Sequence, residues 1–254
     1  MRCVSVISVP YHIDEHLPDL DLPLRPDRVI TAHLPGGGAW DRLAVLYGAV
    51  AGAVAAASAR GDCPVVVSGD CTTALGTVAG LQAAGAAVGV VWLDAHGDVQ
   101  TPETTTSGYL GGMPLRLLTG HRPELIADQL GLQPVAEDTI VLAGARDLDP
   151  PEVSYLAGAR IRRCEVGELA AADLPDVPLY VHVDLDVLDP GEVPGLRYPA
   201  PAGPSLGQLG MALRALVATG QVAGLGLACT WYPGRAASAS IGDPLAAVLS
   251  VING

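Results

Sequence analysis

The chain has 254 residues, 14 basic against 27 acidic side chains and a formal charge of −13; every base is arginine, and lysine and phenylalanine are absent. Half of the residues are hydrophobic and only 16% are charged, which excludes a disordered chain. The negative balance argues against a nucleic-acid backbone or an anionic membrane surface as partner, and the length suits one domain over residues 1–254 with a sizeable core.

In chain order, the apolar and polar patterning predicts a strand over Cys3–Val9 and a helix over Ala39–Ala59, then a strand over Val65–Ser68 and a helix over Thr72–Ala84. A strand over Val88–Leu93, a helix over Gly112–Thr119, a strand over Thr139–Ala143 and a helix over Pro150–Ala157 follow. The chain closes with a strand over Leu179–Asp184, a helix over Ser205–Thr219 with Ser205 as N-cap, a strand over Val222–Ala228 and a helix over Pro244–Ile252. The strands are continuous apolar runs, as in strands buried on both faces, and they alternate with helices. That order predicts an α/β fold with a parallel sheet and helices on both sides.

The most apolar stretch, Leu43 to Ala59, is rich in Ala and Gly and flanked by Asp41, Arg42 and Arg60. It is shorter than the ~20 strongly apolar residues of a membrane span and reads as a buried amphipathic helix. The N-terminus lacks the pattern of a signal peptide. Cys3, Cys63, Cys71, Cys164 and Cys229 are scattered with no CxxC pair, which points to free thiols and a reducing cytoplasm.

Ligands of open parallel sheets bind beyond the carboxyl ends of the strands. Three strand ends here carry chemistry: Gly69-Asp70-Cys71, Asp94-Ala95-His96-Gly97-Asp98, and Asp184-Leu185-Asp186-Val187-Leu188-Asp189-Pro190. In extended chain, residues two apart point the same way, so Asp94, His96 and Asp98 share a direction, as do Asp184 and Asp186. Crowded carboxylates raise each other's pKa unless cations sit among them. An oxygen-rich set with one imidazole suits Mn²⁺, and a pair of such ions can activate water for hydrolysis at neutral pH. Loop and cap aspartates would be the plain structural account of either motif alone.

These motifs, with Thr101-Pro102-Glu103-Thr104-Thr105-Thr106-Ser107-Gly108 and Gly144-Ala145-Arg146-Asp147-Leu148-Asp149, resemble the ureohydrolases: arginases, agmatinases and related amidinohydrolases. The resemblance runs from about Val65 to the C-terminus and is poor over the first 60 residues. It implies a three-layer α/β/α fold around an eight-stranded, mainly parallel sheet, two Mn²⁺ ions, and a homo-oligomer, trimer or hexamer. By the same resemblance Asp94 and Asp184 bridge the metals, Asp98 completes the first and holds the hydroxide between them, and His96 with Asp186 completes the second. Thr105 and Ser107 match the arginase segment that grips the substrate α-carboxylate, and Asp149 matches the group that receives the α-amino group. An ordinary polar loop is the alternative for Thr104–Ser107.

Three positions depart from the pattern. Cys71 stands where the family has a metal-binding His. As a ligand it would favour Zn²⁺ or Fe²⁺ over Mn²⁺ or leave the first site weak; the alternative is a buried thiol that binds nothing. Its place at a helix start predicts a lowered pKa. Gly111 replaces a His thought to shuttle protons to the leaving amine, which leaves Tyr109 as a nearby candidate catalytic group. Thr230 stands where an acidic residue contacts the guanidinium. The Thr101–Met113 segment resembles a side branch of the family, the Nω-hydroxy-L-arginine hydrolases of antibiotic biosynthesis, in which the metal-site His is also Cys and the shuttle His is missing. A hydroxyguanidine is less basic than a guanidine and needs less proton delivery.

The expected function is therefore metal-dependent C–N hydrolysis of a guanidino or hydroxyguanidino α-amino acid in secondary metabolism. A repurposed binding or scaffold protein, or a hydrolase of another amide or amidine, is the alternative. His12 and His16 read as surface-loop residues, His121 as a helix-end cation, and His182 as a packed residue behind the site.

Overall fold

The computed structural model describes residues 3–171 and 174–232, together with 234, 241–243 and 246. A first strand, β1 (Val4–Val9), leads into a small antiparallel hairpin of β2 (Tyr11–His12) and β3 (Glu15–His16), then β4 (Arg28–Val29). After helix α1 (Ala39–Ala59) come β5 (Cys63–Ser68), α2 (Ala74–Ala83), β6 (Gly89–Leu93), α3 (Pro114–Leu118) and α4 (Ala127–Leu130). The rest is β7 (Ile140–Ala143), α5 (Pro150–Gly158), β8 (Arg162–Cys164), β9 (Leu179–Asp184), α6 (Leu206–Ala218) and β10 (Val222–Ala228).

Eight strands form one sheet in the order β4-β1-β5-β10-β9-β6-β7-β8, and every pairing is parallel. The six predicted strands and their order of alternation with helices are all present. The edge strands β4 and β8 were not predicted: two and three residues are too few for a periodicity to register. Helix α2 starts two residues later than expected, after a 3-10 turn over Cys71–Thr73, and α3 starts at Pro114 after another over Leu110–Gly112. Proline in the first turn suits the missing amide there. Ser205 caps α6 by accepting a hydrogen bond from the Gln208 amide. The helix expected over Pro244–Ile252 falls almost wholly outside the described residues.

Successive residues of each strand face opposite sides of the sheet, so each strand feeds two cores. On β6, Val90 and Trp92 join the core under α1 and α2, whereas Val91 and Leu93 join the core under α6. Helix α1 is long and apolar enough to cross a membrane by length and composition alone. Here Leu43, Leu46, Tyr47, Val50 and Val54 are fully buried within the protein, as the sequence reading expected.

Candidate functional site

Strands β5, β9 and β6 end side by side around the end of β10, and their loops converge on one cleft of about 260 Å³. Asp94 follows β6; its Oδ1 accepts from the His96 amide at 2.7 Å and its Oδ2 from Trp92 Nε1 at 3.0 Å. Asp184 ends β9; its Oδ1 accepts from the Asp186 amide at 2.9 Å and from Thr230 Oγ1 at 2.7 Å. The Cys71 sulfur lies 2.9 Å from Asp184 Oδ2 and 3.8 Å from Asp94 Oδ2. His96 Nδ1 is 3.3 Å from both Asp94 Oδ1 and Asp186 Oδ2. Asp98 is held in the left-handed region, φ +53°, within the turn that follows. Gly97 in that turn is required by close approach, since a Cβ there would sit 2.7 Å from Glu152 Oε1.

Asp94, Asp98, Asp184 and Asp186 are all buried, and one oxygen each of Asp98 and Asp186 has no hydrogen-bond partner. Unpartnered buried carboxylate oxygens are costly unless a cation takes them, so this donor set fits divalent ions. Burial, reinforced first by Asp94, holds the Asp98 carboxyl well above the usual range; Asp184 is raised in the same way by burial, Asp186 and Asp94. Asp186 is pushed up to about 6 by burial and Asp94. Burial also opposes the ionised form of Asp94, but the hydrogen bond and charge of His96 outweigh it and lower this one carboxyl. Burial opposes a charged His96 too, yet its bonds to Asp186 and Asp94 raise it to about 12.

These shifts have a sign that can be measured. A carboxyl raised on folding binds its proton more tightly in the native state, so its contribution to stability is present at low pH and lost as pH rises through the native value. For Asp186 the window runs from 3.8 to about 6. The thermal midpoint of the chelator-treated protein is expected to fall across that window. With saturating divalent metal the trend should reverse, because carboxylates coordinate only when ionised. A metal-free midpoint that climbs through the window would contradict the crowded-carboxylate account.

The expected low pKa of Cys71 is not what the structure gives. Burial, then the charges of Asp184, Asp98 and Asp94, push the thiol up. The Thr72 amide at this helix start serves Asp70 instead, donating to its Oδ1 at 2.8 Å. His12 is likewise not a surface residue: it is 8% exposed, its Nδ1 pairs with the Gly69 carbonyl at 2.9 Å, and its ring stacks on Tyr109. His16 is exposed as expected and rests on Tyr11, and His121 reaches Glu103 at 3.5 Å. His182 is packed behind the carboxylates, stacked on Trp92.

At the other end of the cleft, Thr105 and Ser107 lie 3.4 Å apart through their hydroxyls and take backbone amides of Gly108 and Tyr109. Asp149 Oδ2 accepts from Gln100 Nε2 at 2.9 Å, and the Asp149 amide donates to Glu152 Oε2 at 3.0 Å. Gln100, Glu152 and Tyr198 line the cleft and were not singled out from sequence. For Glu152 a signal existed: its place three residues after Asp149 is the spacing of a capping box. Thr230 lines the cleft as expected, but its hydroxyl is donated to Asp184.

Tyr109 and Gly111 form one unit. A Cβ on Gly111 would fall 2.3 to 2.4 Å from Tyr109 Cε1, Cζ and Oη. The phenol thus fills the space that a side chain at 111 would need. It is flanked by His12, whose Nε2 is 3.4 Å from its hydroxyl, and by Tyr198, with ring centres 5.0 Å apart.

Residues 19–231 match the Arginase family, and the chain belongs to that family. The match starts well before Val65, so the kinship includes N-terminal residues that looked unrelated from motifs alone. An arginase of Staphylococcus aureus is 33% identical over 146 residues, 52% of this chain and 48% of that protein. An N(omega)-hydroxy-L-arginine amidinohydrolase of Streptomyces lavendulae is 36% identical over 151 residues, 58% of this chain and 53% of that protein. These matches span about half the length of the curated relatives. The solved structure of arginase from Bacillus caldovelox superposes on 100% of this chain and 99% of its own with a TM-score of 0.81 at 23% identity, which establishes the arginase-like α/β fold.

Proposed function

We propose that the chain is a metal-dependent hydrolase that cleaves a C–N bond of an Nω-hydroxyarginine-like α-amino acid in secondary metabolism. The observation that carries the substrate reading is Thr230: where the family resemblance expects a carboxylate for the guanidinium, a buried hydroxyl instead donates to Asp184 at 2.7 Å. A guanidinium would lack an ion pair there, whereas a less basic hydroxyguanidine does not require one.

Asp94, His96, Asp98, Asp184 and Asp186, with Cys71, would hold two divalent ions, Mn²⁺ by family or Zn²⁺ and Fe²⁺ by the thiol. When bound, such ions polarise the amidine and bring the pKa of a water into the neutral range. The protein supplies the remaining steps. Thr105 and Ser107 offer hydroxyls to the substrate carboxylate, and Asp149 and Glu152 offer charge to its ammonium. Tyr109 presents its hydroxyl to the cleft in the room left by Gly111, where it can relay a proton toward the leaving nitrogen with His12 behind it. The small, anionic cleft fits a small-molecule substrate, and a net charge of −13 does not favour nucleic acid or membrane. The cysteines, all free, fit a reducing cytoplasm, and a homo-oligomer follows the family pattern.

Incubating the metal-loaded protein with arginine and with hydroxyarginine, and assaying ornithine, tests the reading. Hydroxyarginine is expected to be turned over faster. No ornithine from either substrate with Mn²⁺, Fe²⁺ or Zn²⁺ would leave a binding or scaffold role as the better account.

A further inference from the structure

His182 has a feature that the hydrolytic reading leaves unused. Its ring is 2% exposed and lies on Trp92, with ring centres 3.7 Å apart and planes 20° apart. Nδ1 is 3.0 Å from the Tyr180 hydroxyl, but Nε2 is buried and has no hydrogen-bond partner. A buried polar atom left unpaired bears the full cost of its desolvation with nothing in return. The ring stands among metal donors: one of its nitrogens, Cys71 Sγ and an Asp94 carboxylate oxygen all lie within 4.8 Å of one another. Asp184 Oδ2 is 2.9 Å from the same sulfur.

We propose that His182 is a metal ligand, completing with Cys71, Asp94 and Asp184 a buried sulfur–nitrogen–oxygen site selective for zinc over manganese. The proposal rests on the reading of this cleft as a metal centre. Four-coordinate zinc, with Zn–S near 2.3 Å and Zn–N near 2.0 Å, sets its donors roughly 3.3 to 3.6 Å apart. The separation of Cys71 Sγ and Asp94 Oδ2, 3.8 Å, is already close to that value.

The surroundings prepare the imidazole for the task. Tyr180, His182 and Asp184 share one face of β9, because alternate residues of a strand point the same way. With its proton on Nδ1 and directed at the Tyr180 oxygen, the ring leaves the Nε2 lone pair for a metal, the usual arrangement of a ligating histidine. Trp92 fixes the ring plane from one side and, through Nε1, also orients Asp94. The family resemblance expects an imidazole at position 71. Here that position is a thiol, and a different imidazole approaches the same point from β9. A thiolate and an imidazole favour zinc, whereas manganese favours oxygen donors.

The test reads metal binding and not turnover, so it stands or falls apart from the hydrolase assay. Metal-free protein is titrated with Co²⁺ as a spectroscopic probe, then competed with Zn²⁺ and with Mn²⁺. The expected result is a thiolate-to-cobalt charge-transfer band with the strong visible bands of four-coordinate cobalt, displaced by Zn²⁺ and not by excess Mn²⁺. Cys71→Ser should remove the charge-transfer band. His182→Gln should keep it while weakening Co²⁺ binding by about tenfold or more. Should His182→Gln not fold, anomalous scattering at the zinc edge from crystals of the unaltered protein gives the answer, with zinc at bonding distance from Nε2 expected. Unchanged affinity and spectrum in a folded His182→Gln, or zinc seated beyond bonding reach of His182, would overturn the proposal.

Discussion

Asp184→Asn is expected to lower kcat/KM by more than about 10³-fold, roughly 4 kcal/mol of transition-state stabilisation, while raising the thermal midpoint of the metal-free protein. The two effects have one origin. Asp184 Oδ1 accepts from the Asp186 amide and from Thr230, and an asparagine oxygen can keep both bonds. The other oxygen faces the Cys71 sulfur, where an amide nitrogen fits but donates no charge to a metal. The substitution removes one ionisable group from four buried carboxyls, of which Asp98, Asp184 and Asp186 are raised by burial first and by their mutual repulsion second. Relief of that burial cost and repulsion stabilises the empty site; about 1 kcal/mol moves the midpoint of a chain this size by roughly 2–4 °C. Thermal unfolding with and without metal, beside turnover, checks both halves. A metal-free variant less stable than its parent would mean that Asp184 is a structural anchor first and a ligand second.

The second large effect is expected at Gly111. Gly111→Ala places a methyl on the phenol of Tyr109, and the ring cannot slide freely between His12 and Tyr198. Overpacking of this kind costs about 1–3 kcal/mol, and the hydroxyl leaves its place over the cleft, so turnover is expected to fall at least tenfold. Tyr109→Ala combined with Gly111→Ala should recover the lost stability without recovering the activity. A double-mutant cycle measures the coupling, expected at about 0.5–3 kcal/mol between contacting residues. Additive effects would show that the two positions do not share the space.

How much of this was legible in the amino-acid sequence depends on how local each signal is. Strands such as Val222–Ala228 were readable because both faces are buried and the apolar run is unbroken. The acidic positions of the cleft were readable because acids recur two apart just past strand ends, although the chain turns there instead of staying extended: Asp186 lies in a 3-10 turn and Asp98 sits at φ +53°. What escaped depends on contacts distant in sequence. His12 looks like a loop residue until β2 folds it against Gly69, 57 residues away. Gly111 reads as a missing side chain until Tyr109 is seen to occupy its volume. The Cys71 pKa was misjudged because a helix start is local, whereas the burial that pushes the thiol up, and the three carboxylates that add to it, come from the packing of other strands.

The strand order has a consequence for how the protein is made. Cys71 follows β5 and Asp184 ends β9; they lie 113 residues apart in the chain, and these two strands are not adjacent. The strand between them is β10, which pairs with both and is the last strand of the described chain to be synthesised. Until Val222–Ala228 slots in, the sheet has an open gap at its centre, Cys71 remains apart from Asp184, and unpaired edges of β5 and β9 invite other chains. Closing such a gap is a long-range event, and topologies of this kind fold slowly. Asp94, His96, Asp98, Asp184 and Asp186 come from the directly paired strands β6 and β9, so that half of the cleft can gather early, whereas Cys71 joins it only when β10 closes the sheet; a nascent chain that has not yet released β10 is the species most exposed to aggregation.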